Sequence, residues 1–361
     1  MTKTIAFYIS NHGFGHASRN IPIIDSLLTK SGDIKVIVKS GKKQIRFMKR
    51  LLEKFSPKVV FYEEDVDVGL LLQAGKIEVD KAKLECELEK FIASWDYRIR
   101  NESNFLINHT VDLVISDIVP WVFPCCREQG IQSILLSNFT WVEIYKELFP
   151  GKIYQAYLQH YKQADEAWLY PLHGDITDYM DHPKYVGLSC RKFNDENVQS
   201  IRNAHRQPIV FVSVGRSVDL KEVIDVEELP YDFIYTEGMN LSGENAYKLP
   251  SDTLNTQDYI KAADYVITKA GWGTIAEAMC AKKPMLVLER NEIAEDRATL
   301  AKLMQLGVAI AIKPDGFTKA NINSLLETAQ EQKLASKYHN LADIYSNAAE
   351  NIANDLLKHV L

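Results

Sequence analysis

Gly271, Gly273, Thr274 and Glu277 follow an apolar run, Tyr265 to Thr268, and precede a second one, Pro284 to Leu288. A strand that ends in a glycine-rich turn delivers the N-terminus of a helix. Unpaired backbone N–H groups and the positive end of the helix dipole attract phosphate there. Thr274 can cap such a helix or donate to a phosphate oxygen. Glu277 follows one helical turn later and can accept hydrogen bonds from ribose hydroxyls. The same residues also read without any ligand, as a tight turn with Thr274 as N-cap and Glu277 closing a capping box.

A second constellation lies near the start of the chain. Ser10-Asn11-His12-Gly13-Phe14-Gly15-His16-Ala17-Ser18-Arg19 follows the apolar run Thr4–Ile9. The two glycines let the backbone turn sharply at the carboxyl end of a strand, where open α/β sheets bind ligands. His16 falls at the start of the next helix, where the dipole favours the uncharged imidazole. A base there could take a proton from a hydroxyl. The loop is nearly a dinucleotide fingerprint, but Ser18 stands where the third glycine belongs, and the next strand ends in Lys39-Ser40 with no carboxylate for a ribose. That argues against a nicotinamide cofactor. Alternatively, His12 and His16 only pack or cap the turn.

Other groups are weaker signals. Asp117 closes the run Leu113–Ser116 and reads either as a site carboxylate or as a helix N-cap. In Ser213-Val214-Gly215-Arg216-Ser217, Gly215 lets backbone N–H groups approach an anion and Arg216 can pair with a diphosphate. Glu295-Asp296 at a helix start suits the dipole in any case. Asp65-Val66-Asp67 imitates a metal-binding pair, but no metal is expected. Tyr154, Tyr157 and Tyr161 share one helix face, and Trp141 and Tyr145 another; they read as core or as an apolar acceptor pocket. Residues 42–55 are basic and amphipathic, with Lys42, Lys43, Arg46, Lys49, Arg50 and Lys54 among Ile45, Phe47, Met48, Leu51 and Leu52. That segment is either a solvated helix face or a peripheral contact with anionic lipid.

The Gly271–Glu277 segment resembles the nucleotide-sugar site of glycosyltransferases built from two Rossmann-like domains (GT-B), especially the peptidoglycan N-acetylglucosaminyltransferase group. The stretch from His12 to Arg19 is similar to the opening loop of the glycosyltransferase-like N-terminal half of L-arabinokinases. Asp67-Val68-Gly69 with Gln73 and Asp80, Ser137 to Trp141 with Ile144-Tyr145, and Arg290 through Asp296 extend that likeness in the same order. The resemblance implies that Gly271, Gly273 and Thr274 face a diphosphate and that Glu277 holds the ribose. It further implies that the Gly215–Arg216 loop holds the leaving group, that Asp117 orients His16 and that Glu295 and Asp296 meet the sugar hydroxyls. The kinase half and its phosphate-binding loop are absent, so no sugar kinase activity is implied.

These groups need a scaffold, and the rest of the sequence describes one. Short, mostly continuous apolar runs at Thr4–Ile9, Ile34–Val38, Val59–Tyr62, Leu113–Ser116, Ser133–Leu136 and Ala167–Leu169 alternate with helical patterns. The alternation restarts at Pro208–Val214, Phe233–Tyr235, Tyr265–Thr268, Met285–Leu288 and Val308–Ile312. Continuous rather than alternating runs suit strands buried on both faces of a parallel sheet. The expected fold is α/β, with two Rossmann-like parallel-sheet domains facing a cleft and a C-terminal helix crossing back to the first. The expected divisions are 1–190 for the acceptor, 191–207 as a polar linker, 208–335 for the nucleotide-sugar, and 336–361 as a helical segment.

The chain's 361 residues are 46% apolar and 25% charged, which are soluble globular values. A net charge of −6 gives no reason to expect nucleic acid. The five cysteines have neither metal nor disulfide spacing, which suits a reducing compartment. No signal peptide is read at the start, and no apolar stretch approaches the ~20 residues that span a bilayer. The expectation is a cytoplasmic, metal-independent, inverting glycosyltransferase, peripheral at the inner membrane face if residues 42–55 meet lipid. It would move a hexosyl or N-acetylhexosaminyl group from a nucleotide sugar, UDP-linked by resemblance, to an acceptor hydroxyl. The alternatives are a non-catalytic sugar-nucleotide binding protein and an epimerase of the same fold.

Overall fold

In the computed structural model, residues 2–73, 78–215, 222–313 and 316–361 are described. The chain forms two compact units. Unit 1 comprises residues 1–71, 79–189 and 347–361, and unit 2 comprises 72–78 and 190–346.

In chain order, unit 1 contains β1 (Lys3–Ile9), α1 (Gly15–Lys30), β2 (Ile34–Ser40), α2 (Lys42–Leu52), β3 (Val59–Glu63), α3 (Lys81–Ala93), α4 (Trp95–Asn108) and β4 (Leu113–Asp117). It continues with α5 (Val122–Gln129), β5 (Gln132–Ser137), α6 (Trp141–Leu148), α7 (Lys152–Tyr161), β6 (Glu166–Leu169) and β7 (Lys184–Tyr185). Among the described residues its sheet runs β3-β2-β1-β4-β5-β6-β7, and every pair is parallel. The apolar runs form these strands because both faces are covered: β1 is buried from Thr4 to Ile9 and β4 throughout. The order reverses between β1 and β4, whose last residues, Ile9 and Asp117, are register partners. A crevice opens at the carboxyl ends of the strands at such a switch point.

Unit 2 contains α8 (Asp195–Ala204), β8 (Ile209–Ser213), β9 (Val223–Asp225), β10 (Asp232–Tyr235), β11 (Asn240–Ser242), β12 (Ala246–Lys248), α9 (Thr256–Ala262), β13 (Tyr265–Lys269), α10 (Trp272–Ala281) and β14 (Met285–Leu288). Then come α11 (Ala294–Gln305), β15 (Ala309–Ile312), α12 (Lys319–Glu331) and α13 (Leu334–Lys337). Its main sheet, among the described residues, runs β12-β10-β8-β13-β14-β15, again all parallel, and β9 and β11 form a separate pair. Here the order reverses between β8 and β13. Thr268 Oγ1 donates to the Ser213 carbonyl at 2.7 Å, tying the two strand ends together.

The last helix, α14 (Ala349–Val360), belongs to unit 1, where it buries Ile352, Ala353 and Leu356 and packs on α1. The polar segment 191–207, expected to be a linker, instead carries α8 and lies within unit 2. This helix buries none of its residues. Asn194 caps it by accepting from Asn197 N–H, and Asp258 receives Asn194 N–H at 2.9 Å and Asn197 Nδ2 at 3.0 Å.

Of the aromatic residues singled out in unit 1, all but the half-buried Tyr154 are core. Trp141, Tyr145, Tyr157 and Tyr161 are fully buried, with Trp141 and Tyr145 stacked at 5.3 Å. In α2 the residues Ile45, Met48 and Leu52 face inward and are buried, whereas Lys42, Lys43, Arg46, Lys49 and Arg50 are exposed. The apolar side of the helix is thus largely used in packing, with Phe47 and Leu51 half-buried, and the basic side chains face outward. Among the described residues no helix is long and apolar enough to cross a membrane.

Candidate active site

The first cluster gathers at the switch point of unit 1. Gly13 takes φ +79°, a left-handed conformation suited to glycine, and the chain then enters α1 at Gly15. This places His16 in the first turn, and the residue is 7% exposed. Its Nδ1 lies 2.8 Å from Oδ1 of Asp117, the last residue of β4, which is 1% exposed.

Arg19, one helical turn after His16 and 2% exposed, completes the cluster. Its Nε donates to Asp117 Oδ2 at 2.8 Å and its Nη2 to Asp117 Oδ1, while Nη1 donates to Asn138 Oδ1 at 2.5 Å. Asn20 Nδ2 also donates to Asp117 Oδ2, at 2.6 Å. Burial by itself would raise the Asp117 carboxyl; the Arg19 guanidinium, together with His16, reverses this and holds it well below the usual carboxylate range. Asp117 is thus an anion. Two lone pairs cannot face each other at 2.8 Å, so Nδ1 carries a proton and donates it. A neutral ring then has its lone pair on Nε2.

His12 is arranged differently. Its Nδ1 accepts the Leu70 backbone N–H at 3.2 Å, and its ring meets Trp141 edge-on at 5.6 Å. In the neutral ring the proton is then on Nε2. Gly69 explains part of the Asp67-Val68-Gly69 stretch: its φ is +72°, and a Cβ there would stand 2.6 Å from His12 Nδ1. Asp67 clasps the same loop, accepting from Ser10 Oγ and from Asn11 N–H at 3.2 Å, while Asn11 Oδ1 receives the N–H groups of Val66 and Asp67. Asp67 is buried and Asp65 exposed, and Asp67 is committed to the loop. Gln44 of α2 steadies the loop from the other side, donating to the Asn11 and Gly13 carbonyls at 2.8 Å each.

The second cluster occupies the switch point of unit 2. Gly215 follows β8 with φ +80°, and a Cβ there would lie 3.0 Å from Lys269 Cε. Arg216 lies outside the described residues. Gly271 is the N-cap of α10, Gly273 its second residue and Thr274 its third. Thr274 is therefore inside the helix and is not its cap, and the capping-box reading falls with it, because no side chain caps this helix. The helix cannot itself satisfy the N–H groups of its first turn.

Lys269 ends β13 between the two glycines; the Cβ of an alanine at Gly271 would lie 3.4 Å from its Cε. Desolvation pushes this ammonium down to about 8, with Arg290 acting in the same direction and Asp296 and Glu295 opposing it.

Glu277 is 5% exposed, and its Oε1 accepts Arg191 Nε at 2.8 Å. Arg191 also donates to Thr256 Oγ1 at 2.9 Å and to the Leu254 carbonyl. Glu277 thus enters the site with one oxygen already bonded. Asp296 is buried, and its Oδ2 accepts Arg290 Nε, whereas Glu295 is half-buried at the start of α11.

Each unit therefore assembles its own expected residues: His16 with Asp117 in one, and Gly215, Gly271, Gly273, Thr274, Glu277, Glu295 and Asp296 along neighbouring strand ends and helices of the other. Arg19, Asn138, Arg191 and Lys269 had no assigned role. Arg19 stands at i+3 from His16, a spacing that places both on one helix face and could have paired them. Arg191 gives no local signal, since Glu277 lies far along the chain.

Comparison with known proteins bears on the family and the fold. Residues 198–357 match the model of the glycosyltransferase family 28 C-terminal domain. An L-arabinokinase of Arabidopsis thaliana is 27% identical over 309 residues, which are 81% of this chain and 28% of that protein. A UDP-N-acetylglucosamine–N-acetylmuramyl-(pentapeptide) pyrophosphoryl-undecaprenol N-acetylglucosamine transferase of Phocaeicola vulgatus is 29% identical over 143 residues, 35% of this chain and 38% of that protein. The chain thus spans well under half the length of either relative in these matches. Among solved structures, the calicheamicin glycosyltransferase CalG4 superposes with a TM-score of 0.68 at 12% identity, covering 99% of this chain and 98% of that one. The chain has the GT-B glycosyltransferase fold, and the family 28 match covers most of its second unit and runs on into α14.

Proposed function

We propose that this protein is an inverting glycosyltransferase that moves a hexosyl or N-acetylhexosaminyl group from a UDP-linked sugar to an acceptor hydroxyl. The observation that carries the reading is the buried contact of 2.8 Å between His16 Nδ1 and Asp117 at a sheet switch point, which leaves the Nε2 lone pair for a substrate proton. In the proposed division, residues 1–190 serve the acceptor and 208–335 the nucleotide sugar. The relative from Phocaeicola vulgatus, whose name includes a UDP-sugar, supports a UDP donor.

In this mechanism the acceptor hydroxyl gives its proton to His16 Nε2 as its oxygen attacks the anomeric carbon. The bond to the diphosphate breaks, the leaving group takes the electron pair, and the configuration inverts. Negative charge develops on the diphosphate. The first turn of α10, the Gly215 loop and the Lys269 ammonium receive it, an electrostatic contribution fixed before the reaction begins. The carboxylate of Glu277, held by Arg191, accepts from the ribose, and Glu295 accepts from the sugar. No step calls for a metal.

The test is incubation with isotopically labelled UDP-glucose and UDP-N-acetylglucosamine, with the product's anomeric configuration read by NMR. Transfer or hydrolysis with inversion supports the proposal. Retention of configuration contradicts the mechanism. Isomerisation without transfer favours an epimerase, and binding without any turnover favours a sugar-nucleotide binding protein.

A further inference from the structure

Asp117 is committed on both oxygens. Oδ1 receives His16 Nδ1 and Arg19 Nη2, and Oδ2 receives Arg19 Nε and Asn20 Nδ2. A buried carboxylate facing an imidazole would, without a counter-charge, draw a second proton onto the ring or take one itself, because an uncompensated charge is costly away from water. Here the counter-charge is Arg19, and it is itself fixed. Nη1 reaches Asn138 and Nη2 reaches Ser137 Oγ at 3.1 Å. Its guanidinium lies 5.2 Å from the centre of the Tyr170 ring, and its carbonyl accepts from Ser189 Oγ at 2.6 Å. One side chain thus links the start of α1 to the carboxyl ends of β4 and β5.

We infer that Arg19 is the positioning residue of this pair: by balancing Asp117 and gripping both its oxygens, it sets the tautomer of the neutral His16 ring, with the proton on Nδ1 and the lone pair on Nε2. The roles are divided. Arg19 fixes Asp117 and with it the ring's tautomer, Asp117 orients the ring, and His16 touches the substrate. A lysine cannot replace the arginine, because one ammonium cannot make the planar two-point contact with the carboxylate and also reach Asn138.

This inference rests on the reading of His16 as the base, but its main test needs no substrate. Nitrogen-15 NMR of histidine-labelled protein reads both ring nitrogens of His16, assigned by comparison with His16→Gln. The wild type should show a protonated Nδ1 and an unprotonated Nε2. In Arg19→Gln that signature should be lost, either to a doubly protonated ring or to averaged signals, and Arg19→Lys should not restore it. If Arg19→Gln does not fold, Asn138→Ala removes one of the bonds fixing the guanidinium and should blur the same signature. Donor hydrolysis should fall ~10²-fold in the Arg19 variants, the scale of a misplaced catalytic group, while calorimetry shows unchanged UDP binding. A folded Arg19→Gln protein that keeps the wild-type His16 signature would overturn the inference and leave Arg19 a purely structural ion pair. If the signature is lost as expected but no sugar nucleotide is turned over by any form, the positioning role stands and the proposed reaction fails.

Discussion

At the scale of single residues, the two histidines of the opening loop differ by what their Nδ1 atoms do. His16 donates from Nδ1 to an ionised carboxylate and keeps Nε2 as an acceptor. His12 accepts at Nδ1 from a backbone N–H, which uses that lone pair and places the ring proton on Nε2. Only the first arrangement suits a general base at Nε2. His16→Ala should lower turnover by ~10²–10⁴-fold with UDP affinity nearly intact. Asp117→Asn should cause a smaller fall, because it removes orientation but not the base. His12→Ala is the control: steady-state kinetics in which it abolishes turnover while His16→Ala does not would reverse the assignment. Both histidines and their glycines were legible in the sequence, since glycine-rich turns declare themselves by composition. The arginines were not. Arg19 with Asp117 and Arg191 with Glu277 are pairs whose members lie on different elements, and nothing in local spacing announces that a buried carboxylate has already found its cation.

At the scale of elements, glycines report where the backbone is constrained. Gly13 and Gly69 both take left-handed conformations, but a Cβ at Gly13 meets nothing within 4 Å, whereas one at Gly69 would collide with His12. Gly13→Ala should cost only the backbone strain, ~1–2 kcal/mol. Gly69→Ala should cost more, because the His12 ring must also move. Equal midpoints for the two variants in urea unfolding would contradict this account of the loop clasp. The main strands were legible because both their faces are buried, which makes their apolar runs continuous. The strands left unread are short and poorly covered: Val223 of β9 is 63% exposed and Tyr185 of β7 54%. Helix α8 was unreadable for a related reason. It buries no side chain, so no apolar period marks it, and its cap and Asp258 hold it instead.

At the scale of the whole molecule, stability should carry the mark of Asp67. Burial pushes its carboxyl up from 3.8 to about 6, against the opposing hydrogen bonds from Ser10 and the Asn11 N–H. A carboxyl raised on folding binds its proton more tightly in the native state. Its contribution is fully present below the unfolded value of 3.8 and is lost as pH rises through about 6. Between pH 5 and 7.5 the loss should be on the order of 1 kcal/mol. Asp67→Asn lacks this group, so the stability difference between wild type and variant should change by that amount over the interval. A pH-independent difference in chemical denaturation would place the titration elsewhere.

The central claim assigns the donor to unit 2 and the base to unit 1, and calorimetric titration tests it most directly. UDP and UDP-sugars would be titrated into wild type, Glu277→Ala and His16→Ala. The account predicts that wild type and His16→Ala bind with the same affinity. Folded Glu277→Ala should bind more weakly by ~1.5–3 kcal/mol, the scale of hydrogen bonds to a charged group. Unchanged affinity in Glu277→Ala together with lost affinity in His16→Ala, or no binding of UDP or any UDP-sugar to the wild type, would contradict it.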